Sequence, residues 1–548
     1  MKKEDVARLL DRGYLISPDI FETANFDESG FIEDFSARVS TKERPLVLNK
    51  DLYNAFNQGS NVVDINWYEF EKSRVYHEKG KDEKIYGTFL DLLNYNVDNK
   101  KTKKLNAILK EVETPETKLE VETPEASSTS VIVVKSYKDK TKKRELNDFV
   151  QYFKNRYEAI RKILQSRQEM QEVTSINRVL SKTTREETSI IGLVYSKSKT
   201  KNGNLLLSLE DPTGKISVLI SQNYPELMQL GEDICEDEVI GIKGFYGNEI
   251  IFANQIIFPD IMNQEIKKSE DEVYAAFISD LQIGSELCLI NDLKKFVSWL
   301  NGEVGDSSQR KIATKVKYLI MAGDIIDGVG IYPKQDQDLA VKDVVQQYEL
   351  CAEIFSKVRK DIQMIVCPGN HDSLRLAEPQ PAFNNYAKSF TSLPNLTVVS
   401  NPGVVNIHAS ENFKGFDILL YHGYSFHHYM ENVESVRNSF NGQNVDAIMK
   451  FLLKKRHLAP THGSAQIIPD PEEDALVIDK IPDIFVSGHM HKASVGSYNG
   501  VINICCGCWQ DQTSMQEKYG IQPDKSKVVL FNLKSRQVKM LSFNEEEK

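Results

Sequence analysis

The sequence predicts a multidomain α/β protein in which a small β-barrel precedes a larger domain of alternating strands and helices. Five short runs rich in Ile, Leu and Val, joined by tight-turn signals, lie within residues 173–265. From residue 272 to residue 548, strand-like apolar runs alternate with helical patterns, which indicates a layered α/β domain. A chain of 548 residues with 41% hydrophobic and 27% charged residues is long enough to bury several such cores.

Two further segments precede the barrel. Residues 1–77 alternate short helical patches with turn signals and predict a small helical module. Residues 78–145 are charged and low in complexity, and the pentapeptide VETPE occurs twice, at Val112–Glu116 and Val121–Glu125. Such a composition cannot bury enough apolar surface to offset the entropy of ordering, so it predicts a disordered linker. The repeat is a candidate docking motif, although the composition favours a solvated linker.

Residues 146–172 are expected to form a connecting helix. Between residues 147 and 168 apolar side chains recur at i, i+4 and i+8, which is the period of a helix with one packed face. Asn147 or Asp148 is placed to cap its first turn. The aromatic stripe predicts packing rather than ligand contact; its members are Phe149, Phe153, Tyr157, Ile160 and Leu164.

The barrel is predicted from the runs SIIGLVYSK, NLLLSLED, KISVLIS, EVIGIKGFY and EIIFANQIIF. The turns KNGN, DPTG and YGNE supply the Asn and Gly residues that accept the positive φ of hairpins. Five strands in fewer than about a hundred residues predict a Greek-key barrel of the OB type. Lys197, Lys199 and Lys201 edge one face, which either binds single-stranded nucleic acid or contacts a protein. The sequence shows no aromatic platform that decides between the two.

The bulk composition argues against several classes of function. A net charge of −11 does not suit electrostatic coating of nucleic acid, and favours binding through a partner or at a metal site. No run approaches the roughly 20 apolar residues of a membrane span, and the charged N-terminus is unlike a secretory signal. Seven scattered cysteines indicate a reducing cytoplasm, where we expect the protein. Cys505 and Cys508 form a lone C-x-x-C, which fits a buried strand end better than a zinc site.

Polar side chains of metal-ligand type follow five apolar runs, at the point where each run stops. The carboxyl ends of strands are where α/β sheets build their sites, so we expect these side chains to converge. The runs are YAAFISD ending at Asp280, YLIMAGDIID with Asp324 and Asp327, QMIVCPGNHD with Asn370, His371 and Asp372, DILLYHG with His422, and DIFVSGHMH with His489 and His491.

These residue types suit the hydrolysis of phosphodiesters. The reaction needs an activated water and positive charge beside the phosphoryl oxygens, and two divalent ions roughly 3.5–4 Å apart supply both. Asp324, after the Gly323 turn, is placed to bridge them. The mixed oxygen and nitrogen ligand set favours manganese, with magnesium as the alternative. The two imidazoles of the HMH triplet face one side of an extended segment. His371 is placed to protonate a leaving oxygen.

The motifs carry a family resemblance. An Asp at a strand exit, GDxxD, GNHD, a lone His and GHxH resemble the calcineurin-like metallophosphoesterases. Longer stretches are similar to the small subunits of archaeal family D DNA polymerases, and they cover roughly residues 147–540 with the barrel included. Those stretches are GNHDSLRLAEPQPAF, KKRHLAPTHGSAQIIPD, DKIPDIFVSGHMH, CCGCWQDQTSMQEKYGIQPD and the barrel segment from LSLEDPTGKISVLI to IIFPDI.

The resemblance implies an OB barrel with a calcineurin-like phosphoesterase domain, and a metal-dependent 3′–5′ exonuclease that proofreads for a large catalytic polymerase subunit. The implied partners are that subunit, in a heterodimer or larger assembly, the primer 3′ end, and a sliding clamp or primase through the linker. Carried over by position, one metal takes Asp280, Gln282, Asp324 and His491. The second metal takes Asp324, Asn370, His422 and His489. His371 is then the acid, and Asp327 and Asp372 orient the ligands.

Some readings stay open at the level of sequence. Gln282 stands where the nuclease pattern has histidine, so its amide oxygen coordinates weakly or a water takes its place. Arg375, Arg456 and His457 are candidates for DNA contact, each with a structural role as the alternative. Two rival functions are a catalytically silent structural subunit of the polymerase and a small-molecule phosphoesterase, the latter disfavoured by the barrel and linker.

Overall fold

The computed structural model describes residues 131–139, 143–262, 264–440, 444–518 and 520–544, together with Leu15–Ile16, Val47–Leu48 and Arg74. The chain divides into two compact units, Met1–Thr123 and Pro124–Lys548. In the first unit β1 (Leu15–Ile16) pairs in parallel with β2 (Val47–Leu48). Apart from these short pieces, the predicted helical module and the linker up to residue 130 lie outside the described residues.

The barrel in the second unit is closed and has five strands, in the order β4-β5-β6-β8-β7. All its ladders are antiparallel except that between β6 and β8, which is parallel. Its elements are α2 (Ile176–Leu180), β4 (Glu186–Lys199), β5 (Leu205–Asp211), β6 (Gly214–Ile220), α3 (Pro225–Glu232), β7 (Val239–Gly247) and β8 (Ile250–Ile257). Inward-facing Ile, Leu and Val side chains fill the barrel, as their alternation along the strands predicts.

The helix α1 (Leu146–Gln165) precedes the barrel. It starts one residue earlier and ends three residues earlier than the periodicity predicts. Asp148 accepts a hydrogen bond from the Glu145 backbone N–H at 2.9 Å, which closes its first turn. Tyr157 donates to the Ile191 carbonyl of β4 at 3.3 Å, and Ile160 and Leu164 share its core with barrel residues. Phe149 and Phe153 contact the His462 ring instead, so the stripe packs, as predicted.

The larger domain contains two six-stranded sheets. The first has the order β12-β11-β10-β9-β18-β19, and consists of β9 (Tyr274–Ile278), β10 (Val316–Ala322), β11 (Gln363–Cys367), β12 (Leu396–Val398), β18 (Lys527–Asn532) and β19 (Val538–Ser542). The second has the order β16-β17-β15-β14-β13-β3, and consists of β3 (Val131–Ser136), β13 (Gly403–Ile407), β14 (Phe416–Leu420), β15 (Ile484–Ser487), β16 (Ser494–Tyr498) and β17 (Val501–Cys505).

The two sheets face each other across one apolar core and carry helices on their outer faces. Alternate residues of β9, β10, β14 and β15 form the shared core. The other faces of the sheets pack against helices in two further cores. The helices are α4 (Ile290–Leu300), α5 (Ser307–Ala313), α6 (Val344–Phe355) and α7 (Lys388–Thr391) on the first side, and α8 (Phe426–Asn432), α9 (Glu434–Phe440) and α10 (Asp446–Lys455) on the second, with α11 (Ser514–Lys518) near the C-terminus.

One predicted boundary is wrong. The disordered linker was expected to reach residue 145, yet Val131–Ser136 forms β3, the edge strand of the second sheet. The four consecutive β-branched residues of VIVV favour an extended strand, and the second sheet offers β13 as an antiparallel partner. The composition of the surrounding linker concealed this short strand.

The exposed surface of the barrel also corrects the sequence analysis. The large hydrophobic residues exposed on its described strands are all aromatic, namely Tyr195, Phe245 and Phe252. Phe245 of β7 pairs directly with Phe252 of β8, and the Arg185 guanidinium lies over the Phe245 ring. Phe245 and Phe252 lie on consecutive strands, and it is the register of the β7–β8 ladder that sets the two rings side by side.

A buried charge cluster joins α1, the barrel and the larger domain. The Arg156 guanidinium donates to Asp474 at 2.7 Å and to the Asp237 carbonyl at 3.1 Å. His457 contacts the same carboxylate at 2.8 Å, and both side chains of the Arg156–Asp474 pair are fully buried. Although burial raises the pKa of Asp474, the charges of His457 and Arg156 lower it well below its usual value. The cluster therefore holds a paired charge at this junction.

All seven cysteines are free thiols. Cys505 and Cys508 are buried at and beyond the end of β17, as the strand-end reading predicts. Among the described helices none is long and apolar enough to cross a membrane.

Candidate metal centre

The side chains predicted as metal ligands meet at the carboxyl ends of five strands drawn from both sheets. The strands β9, β10 and β11 run parallel in the first sheet, and β14 and β15 run parallel in the second. Each strand stops two to four residues before its ligands. Because the two sheets stack, their carboxyl ends bring residues far apart in sequence to one place.

Five of the seven predicted ligands have left-handed backbones. This conformation costs a residue with a side chain roughly 1 kcal/mol or more, and it persists where the surrounding structure enforces it. Such residues concentrate at functional sites, because the turn redirects a side chain off the strand axis. The five are Asp280 (φ 52°), Gln282 (φ 50°), Asp324 (φ 53°), His489 (φ 67°) and His491 (φ 52°).

Two glycines allow the strand ends to approach the carboxylates. A Cβ on Gly369 would overlap Oδ1 of Asp324, and a Cβ on Gly488 would lie 2.5 Å from Oδ2 of Asp280. Neither carboxylate could keep its position beside a larger residue. The GNHD and GHMH motifs therefore need glycine as their first residue for steric reasons.

Asp324, His422 and His489 form a group that could hold a metal ion. One ligand atom from each lies within 4.8 Å of the others. Nε2 of His422 lies 3.3 Å from Oδ2 of Asp324 and 3.1 Å from Oδ1 of Asn370. These oxygen and nitrogen atoms point at a common position, which matches the second metal of the predicted pair.

His422 is fixed so that Nε2 faces this position. Its Nδ1 lies 2.8 Å from the Ala322 carbonyl, so Nδ1 carries a hydrogen and donates it there. Burial lowers the pKa of His422, but the neighbouring Asp324 carboxylate raises it by more, and the resulting pKa is about 10. A proton on Nε2 thus sits among three ligand atoms, and a divalent cation has the chemistry to replace it.

Asp324 is the centre of the site. Its Oδ1 accepts the His371 backbone N–H at 2.8 Å, and its Oδ2 faces His422 and the Gln282 amide nitrogen, the latter at 3.1 Å. Burial raises the pKa of Asp324, but the charges of His422 and His371 lower it well below its usual range. The carboxylate is therefore ionised at neutral pH, as a bridging ligand must be.

Asp280 and His491 form a second contact pair at the strand ends. Oδ1 of Asp280 is 3.4 Å from Nε2 of His491. Oδ2 of Asp280 accepts the Ser279 hydroxyl at 2.5 Å and the His489 backbone N–H at 2.9 Å, which fixes the carboxylate. Burial lowers the pKa of His491, but Cys508 and Asp280 raise it well above its usual value.

Gln282 tests whether a cation suits the other predicted metal position, the one assigned to Asp280, Gln282, Asp324 and His491. Its Nε2 donates to Asp324, and its Oε1 is buried with no hydrogen-bond partner among the described residues. A buried carbonyl oxygen without a partner costs about 1–3 kcal/mol. A divalent cation beside Asp280, Asp324 and His491 would satisfy this oxygen. The unpartnered oxygen suits a cation here, whereas the group of described residues whose ligand atoms lie within 4.8 Å of one another is Asp324, His422 and His489.

His371 lies at the open side of the site. Its Nδ1 donates to the Asp327 carbonyl at 2.9 Å, which leaves Nε2 free, 4.0 Å from Oδ2 of Asp324. Its side chain is 20% exposed, whereas that of Asp324 is 2% exposed. The ring therefore turns Nε2 toward Asp324, on a side chain that solvent can reach.

Asp327 and Asp372 support the loops. Asp327 accepts the Gln335 amide at 2.9 Å, and burial raises its pKa. Asp372 accepts the Gly369 N–H at 2.8 Å and the Tyr348 hydroxyl at 3.1 Å. Burial, with a contribution from Asp324, raises the pKa of Asp372 to about 7. Both carboxyl groups are occupied in holding the GDIID and GNHD loops together.

The three candidates for DNA contact make the structural contacts that the sequence left as the alternative. Arg456 is buried and donates to the Ile478 carbonyl at 2.7 Å, and His457 is buried against Asp474. For both, burial excludes contact with a phosphate backbone. Arg375 is partly exposed, but it pairs with Asp139 at 2.7 Å and donates to the Pro379 carbonyl, so it holds its own loop.

Sequence reasoning missed two aromatic neighbours of the site. The ring centroids of Tyr424 and His427 lie 5.6 Å and 5.1 Å from that of His489. Both residues follow His422 closely in the segment HGYSFHH, but no spacing rule marks a ring that contacts a ligand. Gln516 was missed as well, and its amide lies 3.1 Å from Nδ1 of His491.

Comparisons with known proteins identify relatives of this chain. Residues 275–495 match the family model that describes the B subunits of DNA polymerases alpha and epsilon. The DNA polymerase II small subunit of Methanothermobacter thermautotrophicus is 39% identical over 71% of this chain and 78% of its own length. That of Pyrococcus horikoshii is 34% identical over 94% of this chain and 80% of its own length.

A solved archaeal phosphodiesterase also aligns with 49% of this chain and 99% of its own. The two share 11% sequence identity with a TM-score of 0.24, a likeness too small to support an argument about fold or activity.

Proposed function

This chain belongs to the family of DNA polymerase II small subunits of archaea, and from that premise we propose that it is a metal-dependent 3′–5′ exonuclease that proofreads for a large catalytic subunit. The observation that carries the proposal is the convergence of Asp324, His422 and His489 on one position, with the unpartnered Gln282 oxygen beside it. A replicative enzyme of this kind works on the chromosome, in the cytoplasm.

We assign the ligands as follows. One metal takes Asp280, Gln282, Asp324 and His491, and the other takes Asp324, Asn370, His422 and His489. When bound, two divalent ions, manganese by preference for this mixed donor set, supply an activated water and neutralise charge on the phosphoryl oxygens. The ionised Asp324 lies between both ligand groups, within reach of each.

The remaining steps fall to residues of the chain. His371 would act as the acid in its imidazolium form: Nδ1–H stays on the Asp327 carbonyl, and Nε2 gives its proton to the departing 3′ oxygen. Asp327 and Asp372 keep the loops that carry Asp324, Asn370 and His371 in register through the hydrogen bonds described above. The substrate is the 3′ end of a DNA primer, supplied with the large subunit as partner.

We interpret the barrel as an OB fold and the larger domain as calcineurin-like. Five strands closed in the order β4-β5-β6-β8-β7 suit a Greek-key barrel, and two stacked sheets with ligands at their carboxyl ends suit a two-metal phosphoesterase. The exposed aromatic residues of the barrel suit either single-stranded DNA or the large subunit. Linker contacts with a clamp or primase rest on the family alone.

A catalytically silent structural subunit is the second candidate. The observation that favours it is that Nε2 of His422 already contacts both Asn370 and Asp324, which pairs these groups without a cation. Manganese counting on the purified full chain separates the two. About two ions per chain at micromolar manganese support the exonuclease, and fewer than one favours the silent subunit.

The proposal itself is tested by digestion of single-stranded DNA labelled at its 5′ end. We expect stepwise shortening from the 3′ end with manganese and none with a chelator. Absence of shortening with manganese, by the full chain alone and with its large subunit, would overturn the exonuclease.

A further inference from the structure

The rim of the metal centre carries two ring side chains that the proposed ligand set does not use. Tyr424 and His427 both contact the imidazole of His489, at centroid distances of 5.6 Å and 5.1 Å and interplanar angles of 47° and 76°. Gly423, with φ of 115°, turns the chain directly after His422, and α8 begins three residues later. The turn places both rings at the mouth of the site.

We propose that Tyr424 and His427 form a subsite for the terminal nucleobase of the DNA strand. This inference rests on the proposed exonuclease function and names how that site holds its substrate. The proposed ligands would hold ions that bind the scissile phosphate, and a ring that touches one of the ligand imidazoles lies within the reach of one nucleotide. Tyr424 is half-buried and His427 is exposed, so each presents ring surface to solvent.

The chemistry of proofreading favours ring faces over base edges. An exonuclease that removes misincorporated nucleotides must accept all four bases, and hydrogen bonds to base edges would select among them. Stacking on an aromatic ring is tolerant of sequence because every base has a π face. The cleft around the ligands is charged and polar, so these two rings supply the apolar surface that a base requires.

A purely structural role for the two rings predicts different contacts. A tyrosine that serves only to pack usually ties its hydroxyl to a buried acceptor. Within the described part of the chain, neither the Tyr424 hydroxyl nor the His427 ring nitrogens make a hydrogen bond, whereas Tyr429 nearby donates to Ser464 at 3.0 Å. The polar ends of the two rings are thus available to a substrate.

The test measures DNA binding separately from cleavage. The full chain with His371→Ala is titrated in manganese against a fluorescent single-stranded oligonucleotide, and fluorescence anisotropy reports binding. Adding Tyr424→Ala should weaken binding about tenfold, as loss of one stacked base predicts. Adding Tyr424→Leu should do the same, because Leu keeps apolar bulk without a π face. Tyr424→Phe is the matched control and should bind within about twofold of the parent.

Two results would overturn the subsite. One is equal binding by the Leu and Phe variants, which would show that stacking has no part. The other is a loss of DNA affinity that is fully explained by a loss of manganese affinity, measured by calorimetry on the same variants. In that case Tyr424 would only hold His489 in place. Because binding needs no cleavage, a wild-type chain that cuts no DNA refutes the proposed function and still leaves this measurement to decide the inference.

Discussion

The amide nitrogen of Gln282 donates to Oδ2 of Asp324 across 3.1 Å, and this contact leaves the amide oxygen buried without a partner. The pair sits between the two candidate metal positions. Under the proposed ligand set this oxygen would face a cation, and Gln282 would be a weak neutral ligand where the nuclease pattern has an imidazole.

The first prediction concerns the strength of this ligand. We expect Gln282→His to keep or raise exonuclease activity at low manganese, because imidazole is a better ligand for a borderline ion. We expect Gln282→Ala to raise the manganese concentration for half-maximal activity at least about tenfold, the scale on which altered metal surroundings act. Manganese titration of DNA cleavage measures both. Loss of cleavage in Gln282→His at every manganese concentration would show that the amide has another role.

The second prediction concerns Asp280. Asp280→Ala should abolish cleavage, because it removes an anionic ligand whose place no neighbour can fill. Asp280→Asn is the matched control, since it keeps the size and the hydrogen bond from the His489 N–H while removing the charge. We expect it to retain the fold and to lose manganese affinity, measured by calorimetry. Full activity of either variant would contradict a ligand role for Asp280.

The third prediction concerns the stability of the charge cluster. Arg156→Ala leaves Asp474 buried without its cation, which should lower the free energy of unfolding by about 3–5 kcal/mol. Arg161→Ala, which removes an exposed partner of Glu158 on the same helix, should change it by less than about 1 kcal/mol. Urea denaturation of the full chain compares the two. Equal effects would mean that the cluster does not fasten the helix to the two domains.

The fourth prediction concerns pH. Glu378 is buried, and its carboxyl contacts the Tyr421 hydroxyl, which contacts Ser425 at 2.9 Å. The Tyr421 hydroxyl has one hydrogen and cannot donate to both Glu378 and Ser425. If Glu378 is protonated and donates to Tyr421, then Tyr421 donates to Ser425, and Ser425 donates to the Leu458 carbonyl. Burial raises the pKa of Glu378 from 4.5 to about 8. The folded state therefore holds a proton that the unfolded state releases between these values.

The sign of the effect follows from linkage. Between pH 4.5 and about pH 8 the folded chain binds more protons at Glu378, so stability falls as pH rises, by up to about 1.4 kcal/mol per unit. Below pH 4.5 and above about pH 8, Glu378 makes the stability no more and no less dependent on pH, because both states bind the same number of protons there. We expect Glu378→Gln to lack this slope. The difference in melting temperature between the variant and the wild type should therefore shift in favour of the variant from pH 5 to pH 8. Parallel profiles for the two proteins would contradict a neutral Glu378.

Sequence alone located much of this site, for a physical reason. Asp280, Asp324, Asn370, His422 and His489 stand where apolar runs end, and parallel strands gather their carboxyl ends at one edge. For Arg456 and His457 the sequence left a structural role open beside DNA contact, and the buried partners that decide for structure are visible only in the fold. Arg156 and Asp474 are 318 residues apart, and only the fold brings them together.

The edge strand β3 and the rings around His489 show two further limits. Composition over a long window described the linker correctly as polar and still concealed six residues with a sheet partner. Ring contacts such as those of Tyr424 and His427 leave no period in sequence, because they come from one turn packed on a distant strand end. Tertiary contacts of this kind need coordinates.

The central claim is a proofreading exonuclease with His371 as its acid. The most direct measurement is the rate at which the full chain, with manganese and its large subunit, removes one mismatched nucleotide from a primer 3′ end. We predict removal by the wild type, loss of at least about a hundredfold in His371→Ala as expected for a general acid, and no removal by Asp324→Ala. Undiminished removal by either variant, or none by the wild type, would contradict the account.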